Sequence, residues 1–211
     1  MTDLERLKQP LSAGVEDLGL DLETQAQAGL LDYLALIDKW NRVFNLTAVR
    51  DPRQMLSHHL LDSLAVLPHL HGVRVLDVGS GPGLPGIPLA IACPERRFTL
   101  LDSNGKKTRF MRQAAIELGL SNVEVIHARV ENYHPPEGFD TVISRAFASI
   151  TDFVTLAGPH CRQGGRLLAM KGRYPADELD ALPGGFQVAA VHRLDVPELG
   201  AERHLVEITR N

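Results

Sequence analysis

The most informative part of the sequence is the glycine-rich segment Asp77-Val78-Gly79-Ser80-Gly81-Pro82-Gly83-Leu84-Pro85-Gly86. The glycines of this segment come directly after residues 73–78, whose β-branched and apolar side chains are typical of a strand. The glycines at positions 79, 81 and 83 permit a sharp turn and leave space for a ligand against the main chain. In open α/β sheets, ligands bind beyond the carboxyl ends of the strands. This glycine loop therefore predicts a binding site after the first strand of a sheet.

A second strand adds an acidic residue at the same edge of that sheet. The run Phe98-Thr99-Leu100-Leu101 ends at Asp102, about 20 residues beyond the first glycine of the loop. A carboxylate at this position can accept hydrogen bonds from the hydroxyls of a ribose. The glycine loop and Asp102 together predict a ligand that contains a nucleoside. A glycine turn without any ligand is the plainer alternative.

The spacing of the loop distinguishes between two nucleoside cofactors. The dinucleotide fingerprint is Gly-x-Gly-x-x-Gly, whereas this loop has Gly-x-Gly-x-Gly. Pro82 and Pro85 offer no N–H donors to a pyrophosphate, and the carboxylate of Asp77 repels phosphates. S-adenosylmethionine carries a sulfonium and an amino group, so it suits this loop better than NAD does. An NAD-dependent oxidoreductase remains the less favoured alternative.

From residue 73 onward, short apolar runs alternate with helical stretches, as in βαβ units with a mostly parallel sheet. Helices are expected after the glycine loop, near 105–118 with Gly119 as the left-handed residue that ends the helix, and near 150–158. The last two strands are separated by a short turn, which predicts an antiparallel hairpin at one edge. The predicted strands are 73–78, 97–101, 123–126, 140–144, 166–170, 186–192 and 204–209.

The residues before the sheet predict helices. We interpret residues 1–72 as an N-terminal helical extension and residues 73–211 as the sheet domain, the two forming one compact body. Asp21 is the expected cap of the first long helix, and Asp51-Pro52 begins a second one that Pro68 ends. The apolar positions of the two helices recur at three- or four-residue spacing: Leu30, Leu34, Ile37 and Trp40, then Leu56, Leu60, Leu64 and Leu67.

Composition narrows the class of protein. The chain has 211 residues, of which 44% are hydrophobic and 23% charged, as in globular domains. Its net charge of −4 argues against bulk electrostatic coating of nucleic acid. The excess acidity lies in residues 1–72, which hold 10 acids and 6 bases. No apolar run reaches the roughly 20 residues of a membrane span and the N-terminus has no signal-peptide core, so we expect a cytoplasmic protein without membrane contact.

Cysteine and histidine spacing indicates no metal centre. Cys93 and Cys161 are too few for a disulfide scaffold, and no Cys-x-x-Cys pair occurs. His58 and His59 are adjacent on a helix, and no histidine spacing matches a standard metal site. We therefore expect no metal. The polar residues His59 and Asn45 are weaker candidates for a substrate contact, whereas Tyr33, Trp40 and Phe44 are expected in the core.

Several separated motifs, in this order, make the chain resemble the glucose-inhibited division protein B family of bacterial small-subunit ribosomal RNA guanine-N7 methyltransferases. The resemblance covers nearly the whole chain. It implies a class I methyltransferase fold of Rossmann-like type, S-adenosyl-L-methionine as the methyl donor, and methylation of one guanine in 16S ribosomal RNA. The motifs lie at 40–47, 59–63, 77–88, 98–103, 142–148, 170–172 and 202–206.

The resemblance also implies roles for single residues. Asp102 would bind the ribose, Val130 and Glu131 would flank the adenine, and Arg145 would close the site. Many relatives have threonine where this chain has Ser80, and both residues offer a hydroxyl. The remaining expected cofactor contacts are Gly79, Ser80, Gly81, Gly83 and Leu84.

The chemistry of guanine N7 requires no general base, because this nitrogen carries a free lone pair. Positioning is then the main task of the enzyme, and the sequence shows no nucleophile–base motif such as Gly-x-Ser-x-Gly. Methylation leaves a positive charge on the guanine, so a cation against the base would be unfavourable. We therefore expect Arg145 to orient the cofactor or to bind a flanking phosphate; a simple Arg–Asp surface pair is the alternative.

RNA contacts must come from a local basic surface, because the net charge is negative. The candidates are Arg50, Lys106, Lys171 and Arg203, while Lys107 and Arg112 are expected to be structural. The substrate could be naked 16S RNA, the free small subunit or an assembly intermediate, and we expect a monomeric enzyme. A methyltransferase that acts on a small molecule or a protein, and a catalytically silent RNA-binding module, remain alternatives.

Overall fold

The computed structural model describes residues 5–211, so residues 1–4 of the predicted extension lie outside the described part. Its strands are β1 (Arg74–Val78), β2 (Arg97–Asp102), β3 (Val123–His127), β4 (Phe139–Ser144), β5 (Cys161–Lys171), β6 (Phe186–Arg193) and β7 (His204–Arg210). They form one seven-stranded sheet in the order β3-β2-β1-β4-β5-β7-β6. Strands β1 to β5 run parallel to one another. Strand β7 runs antiparallel to both β5 and β6, which confirms the predicted hairpin at the edge.

Strand β5 is longer than the sequence predicted. It begins at Cys161 rather than near residue 166, and its register with β4 shifts between Phe139 and Thr141. Two glycines explain this irregularity. Gly164 has φ +75°, and a Cβ on Gly165 would lie 2.9 Å from the carbonyl oxygen of Asp140. The strand therefore begins before the two glycines and continues through them.

The helices of the described chain cover both faces of the sheet. They are α1 (Lys8–Asp17), α2 (Thr24–Phe44), α3 (Pro52–Met55), α4 (Asp62–Leu64), α5 (Gly86–Ala92), α6 (Gly105–Glu117) and α7 (Ile150–Ala157). A π-helical segment, Leu56–Leu61, joins α3 to α4. Short 3₁₀ helices include Leu67–His69 and Val130–Asn132. Gly119 follows α6 with φ +64°, as its predicted role at the helix end requires.

One helix boundary in the extension was predicted wrongly. Helix α2 begins at Thr24, and Glu23 rather than Asp21 is its N-cap residue. The backbone at Glu23 is extended, and its carbonyl oxygen accepts the first helical hydrogen bond from the N–H of Gln27 at 3.1 Å. The predicted cap at Asp51 is confirmed, because its Oδ1 accepts a 2.9 Å hydrogen bond from the N–H of Arg53.

The extension shares its core with one face of the sheet. A single cluster of buried side chains includes Leu30 and Ile37 of α2, Phe98 and Leu100 of β2, and Phe110 of α6. A second cluster lies on the opposite face, where α7 packs. Burying this apolar area stabilises the arrangement of extension and sheet. In residues 5–211, no helix combines the length and the apolar character that a membrane crossing needs.

Candidate methyltransferase site

The glycine loop leaves β1 and turns back toward β2. Gly79, Gly81 and Gly83 have φ values of +71°, +61° and +100°, a region that favours glycine. The N–H groups of Gly79 and Ser80 both donate to the carbonyl oxygen of Leu101, at 2.8 and 3.2 Å. A Cβ on Gly79 would lie 2.6 Å from the Cβ of Ala146, whereas on Gly81 it would meet only one atom within 4 Å, the Lys107 Nζ. The loop is thus packed at its start and open at its middle.

Asp102 holds two parts of the site together. Its Oδ2 accepts a hydrogen bond from the N–H of Gly81 at 2.8 Å, and its Oδ1 accepts one from the N–H of Asn104 at 2.7 Å. The side chain therefore connects the glycine loop to the start of α6. Each carboxylate oxygen keeps a further lone pair, so the predicted ribose contact is compatible with both bonds.

Asp77 is a fully buried carboxylate beneath the loop. Its Oδ2 accepts a 2.9 Å hydrogen bond from the N–H of Gly86, and its Oδ1 has no hydrogen-bond partner among the described residues. Burial raises the pKa of Asp77 to about 7, against the effect of its hydrogen bonds. A positive charge nearby would stabilise the ionised form, so this carboxylate favours a cationic ligand over a phosphate.

Lys107 lies over the open part of the loop. Its Nζ is 3.9 Å from the position that a Cβ on Gly81 would take. Sequence analysis placed Lys107 with Arg112 as structural residues; Arg112 does donate to the carbonyl oxygen of Val125 at 3.2 Å. The signal that could have separated the two is position, because Lys107 belongs to the first turn of α6, directly after Asp102.

A buried carboxylate in α4 is bound by two arginines. Asp62 is fully buried; its Oδ2 lies 3.0 Å from Nη1 of Arg145, and its Oδ1 lies 2.8 Å from Nε of Arg203. Arg145 Nη1 also donates to the carbonyl oxygen of His58 at 3.0 Å. This ion-pair cluster joins the extension to the loop after β4 and to the start of β7. Arg145 is thus paired with an acid, but that acid lies inside the protein rather than at its surface.

His59 lies in the π-helical segment near Arg145. Its Nε2 is 3.0 Å from the hydroxyl of Thr47, and its buried Nδ1 has no partner among residues 5–211. Burial, and after it the positive charge of Arg145, lower the pKa of His59 to about 4, so the imidazole is neutral at pH 7. π-Helical turns occur often at functional sites. A neutral histidine here can donate one hydrogen bond and accept another without adding positive charge.

Comparison with known proteins identifies the family. A family model described as rRNA small subunit methyltransferase G matches residues 26–206. A ribosomal RNA small subunit methyltransferase G from Aromatoleum aromaticum is 55% identical over 206 residues, which cover 95% of this chain and 98% of the relative. One of the same name from Nitrosospira multiformis is 56% identical over 207 residues, with 95% and 96% coverage. The chain belongs to the rRNA small subunit methyltransferase G family. It is an S-adenosylmethionine-dependent methyltransferase.

Solved structures place the fold among the methyltransferases. A glycopeptide N-methyltransferase, MtfA, complexed with S-adenosyl-L-homocysteine, matches with a TM-score of 0.61 and 14% identity, covering 72% of this chain and 87% of that one. TrmN from Thermus thermophilus matches with a TM-score of 0.57 and 22% identity, covering 81% and 53% of the two chains. These likenesses confirm the predicted class I methyltransferase fold.

The residues present fit the methyl donor of this family. The loop is open at Gly81, Asp102 keeps free lone pairs, and the unpartnered buried oxygen of Asp77 suits a ligand with N–H donors and positive charge. Of the other expected contacts, Leu84 is buried and the Ser80 hydroxyl donates to the carbonyl oxygen of Asp77 at 2.9 Å. Ser80 therefore supports the loop from inside.

Two predicted adenine contacts follow β3. Val130 is 8% exposed and begins a 3₁₀ helix, while Glu131 is exposed and lies 3.9 Å from Arg129. The carbonyl oxygen of Val130 is 3.1 Å from Nε2 of His160, which fixes the position of the short helix. Both residues lie beyond the carboxyl end of β3, next to the strand that carries Asp102. Their contact with adenine stays a prediction.

The four cations predicted to bind RNA have different surroundings. Lys106 is exposed in the first turn of α6, and Arg50 is exposed and donates to Oδ1 of Asn45 at 3.2 Å. Lys171 directs its three donors at the carbonyl oxygen of Ala148 and both carboxylate oxygens of Glu178, within 3.0 Å. Arg203 binds Asp62, as described above. Lys106 and Arg50 can therefore approach a phosphate without an acidic partner in competition, whereas Lys171 would have to give up its contacts with Glu178 and Arg203 is held by Asp62.

Proposed function

We propose that this protein transfers the methyl group of S-adenosylmethionine to N7 of one guanine in 16S ribosomal RNA. The observation that carries the proposal is the identity of about 55% with proteins named ribosomal RNA small subunit methyltransferase G, along nearly the whole chain. The site supports it, because a loop with an open glycine lies between two buried carboxylates. The ribosomal substrate leads us to expect an enzyme that acts in the cytoplasm. We also expect it to be a monomer.

The cofactor contacts follow from the surroundings of each residue. We expect the backbone at Gly81 and Gly83 to line the methionine part of the cofactor, with Asp77 offsetting its positive charge. Lys107 is placed to neutralise the cofactor carboxylate, because its Nζ borders the same open position at Gly81. Asp102 would accept hydrogen bonds from the ribose, and the segment that contains Val130 and Glu131 would border the adenine. When bound, S-adenosylmethionine supplies an electrophilic methyl group.

The reaction asks the protein for alignment rather than for proton removal. Guanine N7 offers a lone pair directly, so no side chain has to act as a general base. Holding two reactants in line can lower a barrier by about 7–11 kcal/mol. The neutral His59 is buried and contacts the hydroxyl of the half-buried Thr47, so this pair adds no charge that would repel the developing positive charge of the base. We propose that they help to position the guanine.

Arg145 fits a positioning role better than direct contact with the reacting base. Its side chain is 29% exposed, and its guanidinium is held by Asp62 and by the carbonyl oxygen of His58. Asp62 offsets part of its charge, and the remaining N–H donors can reach a flanking phosphate or the cofactor. Arg145 also raises the fraction of ionised Asp77, because its positive charge lowers the pKa of that carboxyl.

Transfer of a labelled methyl group tests the proposal. Purified enzyme is incubated with radiolabelled S-adenosylmethionine and with naked 16S RNA, free small subunits or subunit precursors, and the modified nucleotide is located by mass spectrometry of RNA digests. We expect one 7-methylguanine in 16S RNA and a preference for one of the three substrates. Label in a protein or a small metabolite, with none in 16S RNA, would favour the alternative substrate class.

A second measurement addresses the cell. We expect 16S RNA from cells that lack this protein to be unmethylated at that guanine, and the wild-type gene to restore the methyl group. The variant Gly81→Val is the matched control for catalysis, because a branched side chain would fill the open part of the loop and strain its φ of +61°. Full methylation by that variant would contradict the assigned cofactor site.

A further inference from the structure

Two histidines and a glutamate meet on the face of the sheet that the extension covers. His69 belongs to the 3₁₀ helix Leu67–His69 at the end of the extension, His192 to β6 and Glu207 to β7. The rings of His69 and His192 have their centroids 4.2 Å apart, and Nε2 of His192 lies 3.0 Å from Oε2 of Glu207. One potential ligand atom from each residue lies within 4.8 Å of the other two.

This donor set is one that divalent transition metals prefer. Imidazole nitrogen and carboxylate oxygen bind zinc at about 2.0–2.2 Å, which places tetrahedral ligand atoms about 3.4 Å apart. The separations in the cluster are at most 4.8 Å, so small side-chain rotations can bring the three atoms around one ion. Two imidazoles and one carboxylate leave a fourth tetrahedral position, which solvent can fill.

A neighbouring arginine orients one of the three donors, the carboxylate of Glu207. Oε1 of Glu207 is 2.8 Å from Nη1 of Arg166, which orients the carboxylate and leaves Oε2 directed at His192. Such a second contact is common behind metal ligands.

We propose that His69, His192 and Glu207 form a binding site for one divalent transition-metal ion such as Zn²⁺. The ion joins the end of the helical extension, at His69, to the edge hairpin of the sheet, which lies far from it in the sequence. Its role is therefore structural: it stabilises the contact between extension and sheet. The proposal is independent of the methyl transfer proposed above, because none of the three residues belongs to that site.

Zinc titration of the full chain, purified without a histidine tag, tests this site. Isothermal titration measures stoichiometry and affinity for Zn²⁺, and Co²⁺ serves as a spectroscopic probe because tetrahedral coordination gives strong visible absorption. We expect one Zn²⁺ per chain, a tetrahedral Co²⁺ spectrum, and a higher melting temperature with Zn²⁺. His69→Gln is expected to weaken Zn²⁺ binding at least about 10-fold and to abolish the increase in melting temperature.

His71→Gln is the matched control, because His71 lies two residues from His69 and is not part of the cluster. It should bind Zn²⁺ like the wild type. His192→Gln serves as a second ligand variant, and circular dichroism without metal shows whether each variant folds. Wild-type protein without stoichiometric Zn²⁺ binding would overturn the proposal, as would a folded His69→Gln or His192→Gln variant with wild-type affinity; the His192–Glu207 contact would then be an ion pair alone.

Discussion

The phenolic hydroxyl of Tyr33 donates a 2.8 Å hydrogen bond to the carbonyl oxygen of Pro82. Tyr33 belongs to α2 of the extension, and Pro82 is at the centre of the glycine loop. Burial raises the pKa of Tyr33 well above its ordinary value, so the hydroxyl stays a donor at every physiological pH. The helical extension therefore supports the cofactor loop directly, in addition to packing on the sheet.

Tyr33→Phe should weaken both the fold and cofactor binding. The substitution leaves the buried Pro82 carbonyl without its donor, which costs about 1–3 kcal/mol of stability. Part of that cost falls on the loop, so we expect the affinity for S-adenosylhomocysteine to drop by about 3- to 10-fold. Urea unfolding measures the stability, and isothermal titration measures the affinity.

The control for this substitution is Tyr174→Phe, at a tyrosine that is 54% exposed and belongs to the segment after β5. It should change the unfolding free energy by no more than about 0.5 kcal/mol. A Tyr33→Phe variant with unchanged cofactor affinity would show that the hydrogen bond holds the helix but does not shape the loop.

The hydrogen bond between Tyr33 and Pro82 is a feature that the sequence predicts only in part. Sequence analysis expected Tyr33 in the core of a predicted helix, and its burial is confirmed. The partner of its hydroxyl is 49 residues away, and no local pattern encodes that distance. The glycine loop and Asp102 were predictable because they depend on local features. Glycine permits the backbone conformations of the loop, and the ends of adjacent parallel strands meet at the same edge of the sheet.

Asp77→Asn should remove a pH dependence of cofactor binding. In the free protein the pKa of Asp77 is raised to about 7, above its unfolded value of 3.8, so the folded state holds an extra proton between these pH values. A cationic cofactor favours the ionised form and releases that proton. The affinity for S-adenosylmethionine should therefore increase by up to about 10-fold from pH 6 to pH 8.

The free energy of unfolding has the opposite pH dependence. The contribution of Asp77 is fully present below pH 3.8 and is lost as the pH rises to about 7, because ionisation inside the protein is unfavourable. Titration calorimetry between about pH 6 and pH 8 measures the affinity of the wild type and of Asp77→Asn for S-adenosylmethionine. Asp77→Asn keeps an acceptor for the N–H of Gly86 and carries no charge, so its affinity should vary far less with pH. An equally steep profile in the variant would assign the proton to another group.

The arginine pair on Asp62 makes a prediction about Arg203. If Arg203 acts through Asp62, then Arg203→Gln and Asp62→Asn disturb the same cluster, and their effects on stability should not add. Each single variant is expected to lower the free energy of unfolding by about 2 kcal/mol, because it breaks charged hydrogen bonds to the fully buried Asp62. The loss stays moderate because the arginine side chains are partly exposed to water. The double variant should lose clearly less than the sum.

Urea unfolding of the wild type, the two single variants and the double variant closes this cycle, and RNA affinity is measured on the same four proteins. Additive losses of stability, together with a fall in RNA affinity for Arg203→Gln alone, would instead make Arg203 a direct RNA contact. Arg42→Gln is a control of the same residue type, because Arg42 pairs with Asp38 on an exposed helix face and its side chain is 76% exposed.

The cations show a second limit of sequence-based prediction. Charge and position selected Lys106 and Lys171 alike, since both lie near the ends of predicted elements. Lys106 is exposed, whereas Lys171 is bound by Glu178 from a segment that composition did not mark as structured. Whether a cation is available depends on its acidic partner, and pairing between separate segments is decided only when the chain folds. Fold class needs no such information, because strand alternation alone restricts the topology.

Lys106→Gln and Arg50→Gln should lower the salt dependence of RNA binding. Each phosphate contact contributes about 0.7 to the slope of log affinity against log salt for single-stranded RNA, so six contacts give a slope of about −4 to −5. Removing one contact should make the slope less steep by about 0.7 and weaken binding at low salt.

Lys171→Gln is the control for these two variants. It should reduce stability, because the ion pair between Lys171 and Glu178 is lost, and it should leave the slope unchanged. Filter binding to a 16S RNA fragment between about 50 and 200 mM salt measures these slopes. A wild-type affinity independent of salt would contradict phosphate contact altogether, and a shallower slope for Lys171→Gln would restore Lys171 as an RNA-binding residue.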